Sequence, residues 1–100
     1  MGVRLNRTAL VDRAKADEAM AFAAEVTAYI KDHWGVPTIW GMEVGGVFGK
    51  VHWFADYENM AQLEETLGRT MTDPGYRALL DKAADVFVTG ATEDTLVYTM

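Results

Sequence analysis

The spacing of the hydrophobic residues changes along this chain, and the order of the changes restricts the fold more than any other feature. Apolar residues recur at every second position in Val3–Val11, and again in Thr38–Val44 and Val47–Ala55. Between the first and second of these segments they recur at helical spacing, from Ala14 to Trp34. A period of two is typical of a half-buried strand, and the longer period is typical of an amphipathic helix. The first half therefore predicts strand, helix, strand, strand.

Capping residues mark both ends of the first helix. Asp12 precedes the helical pattern and can accept a hydrogen bond from a free backbone N–H of the first turn. Gly35 supplies a left-handed stop, and Pro37 follows two residues later.

The second half predicts one more helix, interrupted once, and a closing strand. Asp56 is predicted as the N-cap of this helix, and Asp73 with Pro74 restarts it after the interruption. Gly90 ends the helical pattern, and Thr95–Met100 is predicted as the last strand. The order β-α-β-β-α-β predicts an α+β, ferredoxin-like fold over residues 1–100 as one domain. Such a fold has a four-stranded antiparallel sheet with its helices on one face.

Gly45-Gly46 predicts a two-residue hairpin turn, since glycine takes positive φ without strain. This turn would place Trp40 opposite Val51 and Ile39 opposite His52. One face of the hairpin, predicted to lie under the helices, carries Trp40, Met42, Val44, Val51 and Trp53. The other face carries Ile39, Glu43, Phe48, Lys50, His52 and Phe54.

The second face predicts self-association. Helices cover only one side of such a sheet, so Leu10, Ile39, Phe48 and Phe54 would be left exposed. Large apolar patches are rare on monomers, and a chain of 100 residues buries only a modest core of its own. We expect a homodimer that pairs through this sheet face.

Composition excludes several functions. A net charge of −6 with scattered basic residues argues against nucleic acid as a partner. The absence of cysteine and serine excludes disulfides, thiolate chemistry and serine hydrolysis. The two histidines, His33 and His52, show no metal-ligand spacing, so neither a metal site nor a cofactor is predicted. No long apolar run predicts a membrane segment or secretory signal, which favours a cytoplasmic location.

The chain resembles the dimeric α+β barrel superfamily, which includes antibiotic biosynthesis monooxygenases, stress-responsive barrel proteins and NIPSNAP-like proteins. The resemblance rests on the order of elements, on the strand His52-Trp53-Phe54 leading into Asp56–Asn59, on the Asp73–Tyr76 helix restart, and on the strand after Gly90. It implies a pocket between the sheet and its own helices. The superfamily includes cofactor-free oxygenases, cyclases, haem-degrading enzymes, dehydratases and members without known activity, so it implies a fold rather than a reaction.

Two residues are candidates for catalysis. His52 could act as a general base toward an acidic phenol or enol, or it could simply be a hydrogen-bonded histidine at the dimer face. Arg7 interrupts the apolar side of the first strand and could hold a carboxylate or an enolate oxygen. The alternative for Arg7 is a buried ion pair with an acidic residue such as Glu25.

Further residues are candidates for substrate binding. Five aromatic residues could line a pocket for a flat ligand, although such residues more often form plain core: Phe22, Tyr29, Trp40, Trp53 and Tyr98. Asn6 and Glu43 are the polar candidates, and Glu43 could instead pair with Lys50. If the pocket lies under the helices, Trp53 lines it and His52 points away from it.

The sequence thus predicts a homodimeric barrel that binds an apolar or aromatic small molecule. Its activity would be that of a cofactor-independent oxygenase or cyclase acting on an aromatic or polyketide-like substrate. One alternative is a non-catalytic binding or accessory dimer. Another is a haem-binding or haem-degrading protein.

Overall fold

A computed structural model describes all 100 residues and contains one four-stranded antiparallel sheet with three helices. The elements in chain order are β1 (Gly2–Leu10), a 3₁₀ turn (Arg13–Lys15), α1 (Ala16–Trp34), β2 (Thr38–Met42), β3 (Lys50–Tyr57), α2 (Met60–Thr72), α3 (Pro74–Val86) and β4 (Glu93–Thr99). The strand order is β2-β3-β1-β4. The ferredoxin-like α+β fold and the break in the second helix at Asp73-Pro74 are confirmed.

The core lies between the helices and one face of the sheet. From the sheet, Val3, Leu5, Val51 and Ala55 are buried, as the alternation in β1 and β3 predicts. The helices bury their apolar stripes against this face, among them Ala19, Phe22, Ala23, Val26, Leu63, Tyr76 and Leu79. Burial of apolar side chains is the main term that stabilises such a two-layer arrangement.

The predicted register of the β2–β3 hairpin is wrong by two residues. Trp40 lies opposite Trp53 and Ile39 lies opposite Phe54. Gly45-Gly46 is not a tight turn, since the connection spans residues 43–49, with positive φ at Gly46 and Gly49. A shift of two preserves the faces, because side chains alternate with a period of two. Val44, predicted under the helices, lies in this connection and is fully exposed.

The predicted N-cap at Asp56 is also wrong, because β3 continues through Asp56 to Tyr57. Asp56 instead pairs with Arg4 through two hydrogen bonds of 2.7 and 2.9 Å. Asn59 caps α2 by accepting from the backbone N–H of Gln62, and the Gln62 side chain accepts from the Glu58 N–H. This reciprocal pattern satisfies two N–H groups at the helix start.

The break between α2 and α3 is fixed by Asp73 and Tyr29. The carboxylate of Asp73 caps α3 by accepting from the Tyr76 N–H at 3.1 Å, and it also accepts from the Tyr29 hydroxyl at 2.7 Å. Pro74 occupies the first position of α3, where a missing N–H costs nothing. The Tyr29 side chain of α1 therefore holds the bend between α2 and α3 in place.

The face of the sheet opposite the helices is uncovered. Ile39 is 61% exposed and Val97 is 48% exposed on this open face, and Phe54 is half-buried beside them. Phe48 of the β2–β3 connection is 83% exposed. The edge strand β4 is exposed along its whole length. No helix of the chain is long and apolar enough to cross a membrane.

We expect Gly75→Ala to destabilise the protein by about 1–3 kcal/mol, since it overpacks a filled site. A Cβ at Gly75 would lie 2.5 Å from the hydroxyl oxygen of Tyr29. The Tyr29 ring cannot move freely. Its centroid lies 3.8 Å from that of the His33 ring, and its hydroxyl donates a hydrogen bond to Asp73. The measurement is chemical denaturation.

The matched control is Gly68→Ala in α2, where an added Cβ meets no atom within 4 Å. This variant should gain about 0.5–1 kcal/mol, because alanine favours helix over glycine. Equal stability changes in the two variants would contradict the packing of Tyr29 against Gly75.

Candidate functional site

A cavity of about 320 Å³ lies between the sheet and the three helices. Most of its wall is apolar: Leu5, Ala9, Trp53 and Ala55 come from the sheet, Phe22, Val26 and Ile30 from α1, and Leu67, Leu80 and Ala83 from α2 and α3. A concave, mainly hydrophobic cavity with a few polar groups is the usual form of a small-molecule site.

The polar end of the cavity is an ion pair between Arg7 of β1 and Asp94 of β4. These residues are directly opposite in the β1–β4 ladder, so strand pairing itself brings them together. The Arg7 Nε and Nη2 atoms donate to the two carboxylate oxygens of Asp94 at 2.7 and 2.8 Å. These bonds hold the pKa of Asp94 below its usual value. Arg7 therefore pairs with Asp94, and Glu25 pairs with Lys82.

Two tyrosines stand close to this ion pair. Tyr57 and Tyr76 are buried, and both line the cavity. Burial raises the pKa of both phenols, and the positive charge of Arg7 offsets part of the rise. Both hydroxyls consequently stay protonated at neutral pH. They can donate to a ligand oxygen beside the guanidinium.

Three aromatic rings form one wall of the cavity. Phe22, Trp53 and Phe87 meet edge to face, with ring centroids 5.6 to 6.4 Å apart. This geometry is favourable for aromatic pairs and holds the rings in place. The Nε1 atom of Trp53 is buried and has no hydrogen-bond partner. An unpaired buried donor costs stability, and the cost is removed when an acceptor reaches it.

His52 lies on the open face, in a hydrogen-bonded chain with Asn6 and Glu43. The Asn6 amide donates to His52 Nδ1 at 3.3 Å, which leaves the ring proton on Nε2 to donate to Glu43 at 2.5 Å. The Phe54 ring stacks against the His52 ring, with their centroids 5.7 Å apart. Glu43 therefore pairs with His52 rather than with Lys50. Both ring nitrogens of His52 therefore have partners within the chain.

Six of the predicted site residues fall into two groups. Arg7, Phe22 and Trp53 line the cavity, whereas Asn6, Glu43 and His52 meet on the open face. His52 is opposite Thr8, the strand neighbour of Arg7, so the two catalytic candidates project from opposite faces. They cannot contact one ligand within a single chain.

The three remaining aromatic candidates lie outside the cavity: Tyr29, Trp40 and Tyr98. Tyr29 stacks on His33 and donates to Asp73. Trp40 packs beside the core, and Tyr98 lies 60% exposed on β4.

Three residues at the polar end of the cavity were not among the sequence candidates: Tyr57, Tyr76 and Asp94. Tyr57 continues the alternation of Trp53 and Ala55, so extending β3 by two residues would have identified it. Asp94 shares the parity of Leu96 and Tyr98, but the sequence pattern assigns it to a loop.

Neither histidine is placed for haem ligation in this cavity. No histidine lines it, and His33 packs on Tyr29 at the end of α1. No group of three or more acidic or histidine residues is arranged to hold a metal ion.

The fold matches solved structures along its whole length. An uncharacterized NIPSNAP domain protein from Burkholderia xenovorans has a TM-score of 0.82 at 15% identity, covering 100% of this chain and 95% of its own. The chain has the fold of NIPSNAP-domain proteins. A NIPSNAP family protein from Agrobacterium tumefaciens has a TM-score of 0.79 at 13% identity, covering 100% and 94%.

The same fold occurs in SnoaB, a cofactor-independent oxygenase from Streptomyces nogalater, with a TM-score of 0.73 at 14% identity. Its coverage is 98% of this chain and 92% of SnoaB. No family model and no curated protein matches the sequence. The likeness to NIPSNAP-like and monooxygenase-type barrels is confirmed for the fold, and at these identities it does not extend to the reaction.

We expect Asp94→Asn to lower the free energy of unfolding at pH 7 by about 1 kcal/mol or less, since the pair is partly exposed and solvent screens it. The folded pKa of Asp94 is depressed, so its contribution is present above the unfolded pKa of about 3.9 and is lost as pH falls below it. Chemical denaturation should therefore show a smaller difference in the free energy of unfolding between wild type and Asp94→Asn at pH 3 than at pH 7.

Asp81→Asn, an exposed aspartate of α3, is the control and should show no such pH-dependent difference. An advantage of wild type over Asp94→Asn that stays constant from pH 7 to pH 3 would contradict the assigned ion pair.

Proposed function

We propose that this protein binds a small aromatic molecule in the cavity between the sheet and the helices. The observation that carries the proposal is the combination of an apolar cavity of about 320 Å³ with one polar end. Pockets that bind small molecules have this form, with apolar walls for affinity and a few polar groups for orientation.

The cavity gives such a ligand a preferred orientation. Its ring system would pack against Phe22 and Trp53, where the three aromatic side chains form a wall. A hydroxyl or carbonyl oxygen would then face Arg7 and the hydroxyls of Tyr57 and Tyr76. These groups donate hydrogen bonds, so an oxygen acceptor at that end of the ligand complements them.

A catalytic form of this function is a cofactor-independent oxygenase acting on a phenol. Its support is the fold shared with SnoaB and the guanidinium of Arg7, which would stabilise a developing phenolate oxygen. Of the two catalytic candidates, His52 does not reach this cavity. The proposal therefore rests on Arg7. For naphthol the reaction would convert the phenol and O₂ to a naphthoquinone and water.

We also propose that two chains pair through the open face of the sheet. Ile39, Phe54 and Val97 give this face exposed apolar surface that a second sheet would bury. Two charged groups there, Arg4 and Glu43, already have partners within the chain. Burial at an interface would therefore leave neither of these charges unpaired, which is the usual penalty for burying a charge.

The cavity proposal is tested with Ala83→Phe, which should weaken binding of 1-naphthol by about tenfold or more. Ala83 lines the cavity, so a phenyl group there takes the space of the ligand. Binding is measured by calorimetry, and oxygen uptake with 1-naphthol tests the catalytic form. Ala84→Phe, exposed on the same helix, is the matched control and should bind as wild type.

Equal affinity of wild type and Ala83→Phe for 1-naphthol would place the ligand outside the cavity. Binding without oxygen uptake would favour the non-catalytic form of the proposal.

The dimer proposal is tested with Ile39→Lys combined with Val97→Lys. Light scattering should show a dimer for wild type and a monomer for this variant, because two lysines per chain cannot be buried unpaired. Met71→Lys, an exposed methionine of α2, is the control and should remain dimeric. A wild-type monomer at concentrations of about 0.1 mM would overturn the proposal, since stable dimers form well below that value.

A further inference from the structure

We infer that Asp94 sets the charge of the ligand, so that the cavity accepts a neutral bicyclic aromatic compound with a carbonyl oxygen and rejects the corresponding carboxylate. The inference rests on the proposed binding function. It adds a residue that determines specificity and a chemical class of ligand.

The only basic group in the cavity is already paired. Arg7 is the sole lysine, arginine or histidine among the lining residues. Asp94 takes two of its N–H groups in a bidentate pair, at 2.7 and 2.8 Å. Since these charges cancel, the lining carries no net formal charge, and a carboxylate ligand would have to compete with Asp94 for the guanidinium.

The remaining hydrogen-bonding groups of the cavity add no further positive charge. The hydroxyls of Thr38, Thr66 and Thr70 already donate to backbone carbonyls, at 2.9, 2.9 and 2.6 Å. The free donors of the lining therefore include Arg7, Tyr57, Tyr76 and the Nε1–H of Trp53. These suit one neutral oxygen acceptor. They bring no second positive charge to balance an added anion beside Asp94.

The volume of the cavity limits the size of the ligand. A protein cavity of about 150 Å³ lined by apolar side chains holds benzene. At about 320 Å³, the present cavity has room for about two such rings. A bicyclic aromatic ring bearing one carbonyl group fits both the apolar volume and the single polar end.

The test uses 2-naphthamide and 2-naphthoate, which have nearly the same shape and differ by one negative charge. Calorimetry on the full chain at pH 7 should show 2-naphthamide binding about tenfold more tightly to wild type. Asp94→Asn removes the competing carboxylate, so its affinity for 2-naphthoate should rise about tenfold relative to its affinity for 2-naphthamide. Asp94→Glu retains the charge and should retain the wild-type preference.

The control for net charge is Asp81→Asn, which makes the same substitution on the exposed surface of α3 and should leave both affinities unchanged. Equal binding of the two compounds to wild type, or no gain of 2-naphthoate affinity in Asp94→Asn, overturns the role of Asp94 while the binding cavity stands. If Asp94→Asn does not fold, the relative affinities of wild type and Asp94→Glu for 2-naphthamide and 2-naphthoate test the inference instead. Failure of both compounds to bind any variant overturns the cavity proposal as well.

Discussion

The pairing of Arg7 with Asp94 is the interaction on which the polar end of the cavity depends. Arg7 interrupts the apolar side of an inner strand, and a half-buried guanidinium needs a partner. The partner comes from the edge strand β4, whose register with β1 places Asp94 directly opposite. One pair therefore links the two ends of the chain and gives an otherwise apolar cavity its polar end.

Side-chain alternation then makes the sheet a partition between two surfaces. Neighbouring residues such as His52 and Trp53 project to opposite sides, so one strand supplies both the open face and the cavity wall. His52 is satisfied by Asn6 and Glu43, and its bond to Glu43 attaches the β2–β3 connection to the sheet. The open face thus holds its polar groups in an ordered network, while the cavity-lining groups lie under the helices.

The sequence predicts what depends on local pattern and fails where distant residues decide. The order of elements and the face of each strand follow from periodicity, which neighbouring residues determine. The hairpin register does not, because a shift of two residues leaves the alternation unchanged and only the length of the turn reveals it. The role of Asp94 cannot be predicted for a related reason. Its partner Arg7 is 87 positions away, and no local sequence signal identifies the pair. Asn59 was missed as a cap because Asp56 offers an equally good capping side chain three residues earlier.

The same ion pair also bears on whether a fold shared with an oxygenase performs oxygenase chemistry here. Proton abstraction from a phenol needs a base whose pKa lies near the working pH. Asp94 is the only carboxylate lining the cavity, and Arg7 lowers its pKa, which makes it a weaker base. Tyr57 and Tyr76 stay protonated because burial raises their pKa values. The cavity is consequently better suited to holding an oxygen than to removing a proton, and any reaction within it would depend on a substrate acidic enough to lose its proton beside Arg7.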